Sequence, residues 1–78
     1  MQQVYVKFDN ADQVNEFINT IDQFDTEFDM GNGRRIVDAK SVIGVFALDL
    51  KQPQRLRFDS DSQEILKKIR PFLCEECR

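Results

Sequence analysis

The chain has 78 residues, 11 Lys and Arg against 14 Asp and Glu, and a formal net charge of −3. Its length suits one small domain with a modest core and little room for an enclosed active site, and its 41% hydrophobic content with seven Phe argues against disorder. It contains no His, so no imidazole can act as a base near pH 7, ligate a metal or carry a phosphoryl group.

Val4, Val6 and Phe8 alternate across residues 4–8, the period of a half-buried strand. Asn10 is a suitable N-cap, with Gln13 three residues on as in a capping box. Val14, Phe17, Ile18, Ile21 and Phe24 then fall on one helical face, and Asp12, Glu16 and Asp22 lie on the other. Thr26, Phe28 and Met30 alternate again. Gly31-Asn32-Gly33 reads as the turn to a short third strand through Ile36 and Val37. Asp38-Ala39-Lys40-Ser41 leads into a second helix with Val42, Val45, Phe46 and Leu48 as its apolar stripe. After Lys51-Gln52-Pro53 comes a fourth strand, with Leu56 and Phe58 on one side and Arg55 and Arg57 on the other. Ser60-Asp61-Ser62-Gln63 offers a second capping box for a third helix carrying Ile65, Leu66, Ile69, Phe72 and Leu73. Pro71 cannot donate to the Lys67 carbonyl, so that helix should end or kink near Arg70.

The order βαββαβα predicts an α+β domain with a four-stranded antiparallel sheet and three helices on one face. The crossover rule leaves a ferredoxin-like sheet or an open-faced sandwich, and the pattern does not choose between them. Charge is uneven: residues 1–33 hold seven acids and one base, whereas residues 34–78 hold seven acids and ten bases. The first half should repel nucleic acid and anionic membranes, and the second reads as a solvated mixed surface. Met1-Gln2-Gln3 lacks a basic leader, no apolar run approaches a membrane span, and the two Cys form no secreted-type framework. A cytoplasmic setting, with no membrane or nucleic-acid partner, is therefore expected.

One segment is specific. Asp38-Ala39-Lys40-Ser41-Val42-Ile43-Gly44-Val45-Phe46-Ala47-Leu48 resembles the regulatory-serine segment of HPr, the histidine-containing phosphocarrier of the bacterial sugar phosphotransferase system. Phe17-Ile18 is similar to that family's aromatic-aliphatic pair in the first helix, and the interval from Phe17 to Ser41 is the family's interval. The resemblance implies one HPr-like open-faced β-sandwich over residues 1–78, with 74–78 a frayed tail. By the same register the family's phosphorylated histidine falls on Asn10, its arginine on Asp12 and its proline on Gln13. The carrier motif is then absent as a whole. Asp12 would repel a phosphoryl group, and the acidic first helix would repel the acidic face of the usual phosphotransferase partner.

The resemblance implies a non-catalytic protein that regulates by protein contact, with HPr kinase or a regulatory protein as partner and no cofactor. The alternatives are a degenerate phosphocarrier associated with sugar transport, or a domain that binds a small ligand on its open sheet face. Ser41 matches the serine that HPr kinase phosphorylates; its ordinary reading is an N-cap of the second helix. Ile43, Phe46 and Val42 match the family's docking patch, with Ile43 exposed and Phe46 partly so. Against that stands the reading of Val42 and Phe46 as core. Cys74-Glu75-Glu76-Cys77 has metal and redox spacing, but it follows a helix and lacks further ligands, so no metal site is expected. The pairs Asp9 with Asp12 and Asp59 with Asp61 sit where helix caps belong. Arg34-Arg35-Ile36-Val37-Asp38 has none of the aromatics of an RNA-binding third strand.

Overall fold

The computed structural model describes residues 2–60 and 63–74. In chain order it contains β1 (Gln2–Val6), α1 (Ala11–Ile21), β2 (Phe28–Asn32), β3 (Arg35–Asp38), α2 (Val42–Phe46), β4 (Gln54–Phe58) and α3 (Gln63–Ile69). A single 3-10 turn, Arg70–Phe72, follows α3. The strands form one antiparallel sheet in the order β1-β4-β2-β3. The expected α+β layering holds.

Register divides the sheet into two faces. Val4, Leu56, Met30 and Val37 stand in one cross-strand row, and Leu56 and Met30 are fully buried under the helices. The next row, Tyr5, Arg55, Gly31 and Ile36, points the other way, because successive side chains alternate. A Cβ on Gly31 would lie 2.6 Å from the Arg35 carbonyl oxygen, so only glycine fits that crowded position.

The core is aromatic at one end. Phe8, Phe17 and Phe72 pack with ring centroids 5.2 to 6.0 Å apart, and Phe28 meets Phe58 at 5.3 Å. Val14, Phe17, Ile18 and Ile21 of α1 are buried, and Phe24 packs partly buried against them. Burying four such side chains, at about 1.5–3 kcal/mol each, is what holds α1 on the sheet. α1 lies beside α3, whereas α2 lies over β3. Gly44 comes so close to Val37 that an added Cβ would sit 3.2 Å from the valine Cβ.

Several boundaries differ from expectation for local reasons. β1 stops at Val6, and Phe8 is buried beyond the strand as part of the aromatic cluster. Thr26 precedes β2. The hairpin turn is not Gly31-Asn32-Gly33: Gly31 and Asn32 remain paired with Ile36 and Arg35, leaving Gly33 and Arg34 as the two central residues. Gly33 takes φ 66° while Arg34 does not enter positive φ, the pattern of a type II′ turn. α3 ends at Ile69 and tightens into the 3-10 turn holding Pro71, as the missing proline donor requires.

The segment after α3 closes one edge of the sheet. Lys7 N donates to the Phe72 carbonyl at 3.0 Å and Cys74 N to the Tyr5 carbonyl at 2.9 Å, bracketing an antiparallel bridge between Val6 and Leu73. Cys74 is thus pinned to β1 by its backbone, which corrects the expected start of a frayed tail at 74. Residues 75–78 with Cys77, and Asp61 and Ser62 within the capping box expected over residues 60–63, lie outside the described residues. No described helix is long and apolar enough to cross a membrane.

Candidate functional site

The two helix starts singled out in the sequence are both capped. Asn10 Oδ1 accepts from Gln13 N at 2.9 Å, and Gln13 Oε1 accepts in return from Asp9 N at 2.8 Å. The reciprocal bond reaches one residue earlier than the capping box predicts, and the cap is Asn10 rather than the Asp9–Asp12 pair. Asn10 and Asp12 are both exposed. Ser41 Oγ accepts from Gly44 N at 3.2 Å and caps α2.

α2 is short and held at both ends. Ser41 closes its start, and Arg35 Nη1 donates to the Ala47 carbonyl at 3.0 Å just beyond its end, where a cation suits the helix terminus. Lys40 Nζ donates to the Phe24 carbonyl at 2.6 Å and lies 5.7 Å from the centre of the Phe28 ring, fixing the approach to the helix. Of the helix itself only Val45 is buried. Ile43 is 87% exposed, Val42 47% and Phe46 42%. This corrects the apolar stripe expected of the sequence: Val45 and Leu48 serve the core, whereas Val42 and Phe46 join Ile43 on the surface. The reason is length, since five residues give α2 fewer than two turns and one anchoring position.

Phe46 also forms a wall of a groove of about 330 Å³ between the start of α1 and the connection from α2 to β4. Phe8, Val14, Leu48 and Leu50 supply its apolar lining, and the exposed Asp9, Asn10, Asp49 and Lys51 stand at its mouth. The structure thus brings Asn10 and Phe46 to one depression. Asp12, one residue on from the groove-lining Ala11, is not among the lining residues, and Ser41 is at the far end of α2.

The sequence reading missed the far wall of this groove. Gln54 is fully buried, and its Nε2 donates to the Asp49 and Gln52 carbonyls at 2.7 and 2.8 Å. The Asp49 carboxylate accepts from Lys51 N at 3.2 Å. These bonds fold residues 49–52 into a fixed wall. The signal was available: Gln54 stands in alternation with the inward Leu56 and Phe58, and a polar side chain facing a core needs a partner. Gln54 Oε1, in contrast, has no hydrogen-bond partner among the described residues.

Comparison with solved structures identifies the architecture. The fold is HPr-like. A protein described as HPr-C-His from Thermoanaerobacter tengcongensis superposes with a TM-score of 0.75 at 23% identity, over 91% of this chain and 89% of its own. The phosphocarrier protein HPr from Bacillus anthracis str. Ames superposes with a TM-score of 0.73 at 20% identity, over 94% of both chains. At such identity the likeness is one of fold. No known family profile and no curated protein sequence matches the chain. Within this HPr-like frame the chain has no His at any position, and its exposed apolar helix α2 lies on β3 beside the hairpin.

Proposed function

We propose that this protein is a non-catalytic, HPr-like regulatory domain that works by protein contact through α2 and is modified on Ser41 by an HPr kinase. One observation carries the reading: Val42, Ile43 and Phe46 are turned out to solvent on a helix fastened at both ends and opened by Ser41. A five-residue helix with three exposed apolar side chains contributes little burial to its own fold, and such residues are what a partner surface covers. The role of carrier fits poorly. Asn10, in the position that the family resemblance gives to the phosphorylated histidine, has a carboxamide whose oxygen already caps α1. Asp12 adds like charge to any phosphoryl group nearby.

In the kinase reaction the Ser41 hydroxyl oxygen attacks the γ-phosphorus of ATP. ADP departs, and the hydroxyl proton passes to a base of the kinase. The test is incubation with HPr kinase and ATP, followed by intact-mass measurement. One added phosphate is expected on the native chain and none on Ser41→Ala. An unmodified native chain, or a phosphate that survives Ser41→Ala, overturns the reading. In parallel, enzyme I with phosphoenolpyruvate should leave the chain unphosphorylated, and labelling there would restore the phosphocarrier alternative.

A further inference from the structure

We infer that the groove between α1 and α2 accepts a partner segment that presents an apolar side chain flanked by lysines or arginines. The inference rests on the docking reading above and adds the polarity of the partner.

Shape and charge argue together. The groove is continuous with the exposed patch, because Phe46 belongs to both. Its interior is made by Phe8, Val14, Leu48 and Leu50, so an apolar side chain is what it can desolvate without leaving polar groups unpaired. Among the described residues that line it, Asp9 and Asp49 stand at the mouth against one cation, Lys51, and the nearby Arg35 guanidinium is engaged on the Ala47 carbonyl. Asp12 is exposed in the adjoining first turn of α1. α1 itself carries no Lys or Arg to offset them. A partner with acidic flanks would meet like charge along this side, whereas basic flanks are drawn in and oriented. The wall is also ready before binding: Gln54 holds the Asp49 and Gln52 carbonyls, and Arg35 holds the end of α2. Binding therefore has less loop ordering to offset.

The experiment titrates the isotopically labelled full chain with three peptides of equal length. Each has a central Leu-Phe pair, flanked by lysines in the first, glutamates in the second and serines in the third. The expected result is movement of the Val14, Phe46, Leu48 and Leu50 amides by the lysine-flanked peptide. Its binding should be at least about fivefold tighter than that of the glutamate-flanked one, with the gap shrinking as salt rises. The double variant Asp9→Asn with Asp49→Asn keeps the side-chain shapes and should lose most of that preference. Equal or stronger binding of the glutamate-flanked peptide overturns the inference. So does a preference that survives the double variant, or shifts spread over residues 22–29 instead of the groove. Groove amides that move on dilution without peptide would show a second copy as the occupant, and silence of the groove toward all three peptides would show none. Both outcomes also overturn it. Ser41 phosphorylation is read independently: a chain modified by the kinase but without peptide preference loses only the polarity claim. A chain with the preference but no phosphate loses only the kinase claim.

Discussion

Asn10 and Ser41 do the same local work at two helix starts, yet the helices they open are opposite in what they expose. Each side-chain oxygen accepts from the amide three residues on, at 2.9 and 3.2 Å. α1 then runs for 11 residues and buries Val14, Phe17, Ile18 and Ile21. α2 runs for five, buries Val45 and turns three apolar side chains outward. The contrast separates two uses of apolar sequence. In α1 the hydrophobic residues make the core, and the fold explains them. In α2 most of them add nothing to the core, and the helix is kept in place instead by the hydrogen bond that Ser41 accepts and those that Lys40 and Arg35 donate. Apolar surface that the fold does not use is surface available to a partner.

The largest test of this contrast is Phe17→Ala. Phe17 is fully buried, with Phe8 and Phe72 at ring-centroid distances of 5.2 and 5.3 Å. Its removal leaves a cavity shared by α1, the segment after β1 and the 3-10 turn, and should cost about 3–5 kcal/mol of stability. Urea unfolding followed by far-UV circular dichroism would read this as a large fall in midpoint, or as a chain unfolded without denaturant. A loss under about 1 kcal/mol would mean that the aromatic cluster does not anchor α1, and the distinction between the two helices would lose its first half.

What the sequence made legible follows the same division. Period and caps were enough for α1, because Asn10, Gln13, Val14, Phe17, Ile18 and Ile21 agree with one another and with the sheet they cover, whereas Phe24, expected on the same face, lies beyond the helix end at Ile21. The strand pattern of β4 was equally plain. The hairpin was located but its centre was not. Gly31, Asn32 and Gly33 can all adopt turn conformations, and the choice fell on Gly33 because a two-residue turn keeps Gly31 against the Arg35 carbonyl. Period alone misplaces the burial of α2. Val42, Val45, Phe46 and Leu48 look like a helical stripe, but a helix lying on β3 through Gly44 presents only Val45 to the core. Gln54 escaped notice because its function is to hold two carbonyls of a loop, a relation that exists only once the loop is folded. Ser41, in contrast, is legible as the cap of α2 from its residue type and place, whereas its proposed modification rests on resemblance alone.

A smaller effect compares the caps directly. Asn10→Ala removes a cap backed by Gln13 at the start of a long buried helix, and should cost about 1 kcal/mol. Ser41→Ala should cost about 0.5 kcal/mol, at the low end for a cap, because its bond is longer and Arg35 still holds the far end of α2. Chemical denaturation of the two variants under identical conditions decides the order. If Ser41→Ala proved the more damaging, α2 would have to be a structural keystone, and loss of phosphorylation in that variant could reflect a disturbed helix. Ser41→Asp keeps an acceptor oxygen at the cap and should be more stable than Ser41→Ala, matching the native chain in the same denaturation.

The smallest expected change in stability is the most informative about function. Ile43 is 87% exposed, so Ile43→Ser gives up almost no burial, and the two residues have similar helix propensity. The fold should therefore shift by less than about 0.5 kcal/mol, within the range of surface substitutions. If α2 is a contact face, the same variant should slow modification of Ser41 by the kinase, raising KM by more than about fivefold, because Ile43 stands two residues beyond the acceptor. Stability and KM are then moved in opposite proportion by Phe17→Ala and Ile43→Ser, which is the signature of one helix serving the core and the other serving a partner. A stability loss above about 1 kcal/mol in Ile43→Ser, or an unchanged KM with the fold intact, would place the residue on neither side of that division and leave the exposed face of α2 without the role assigned to it.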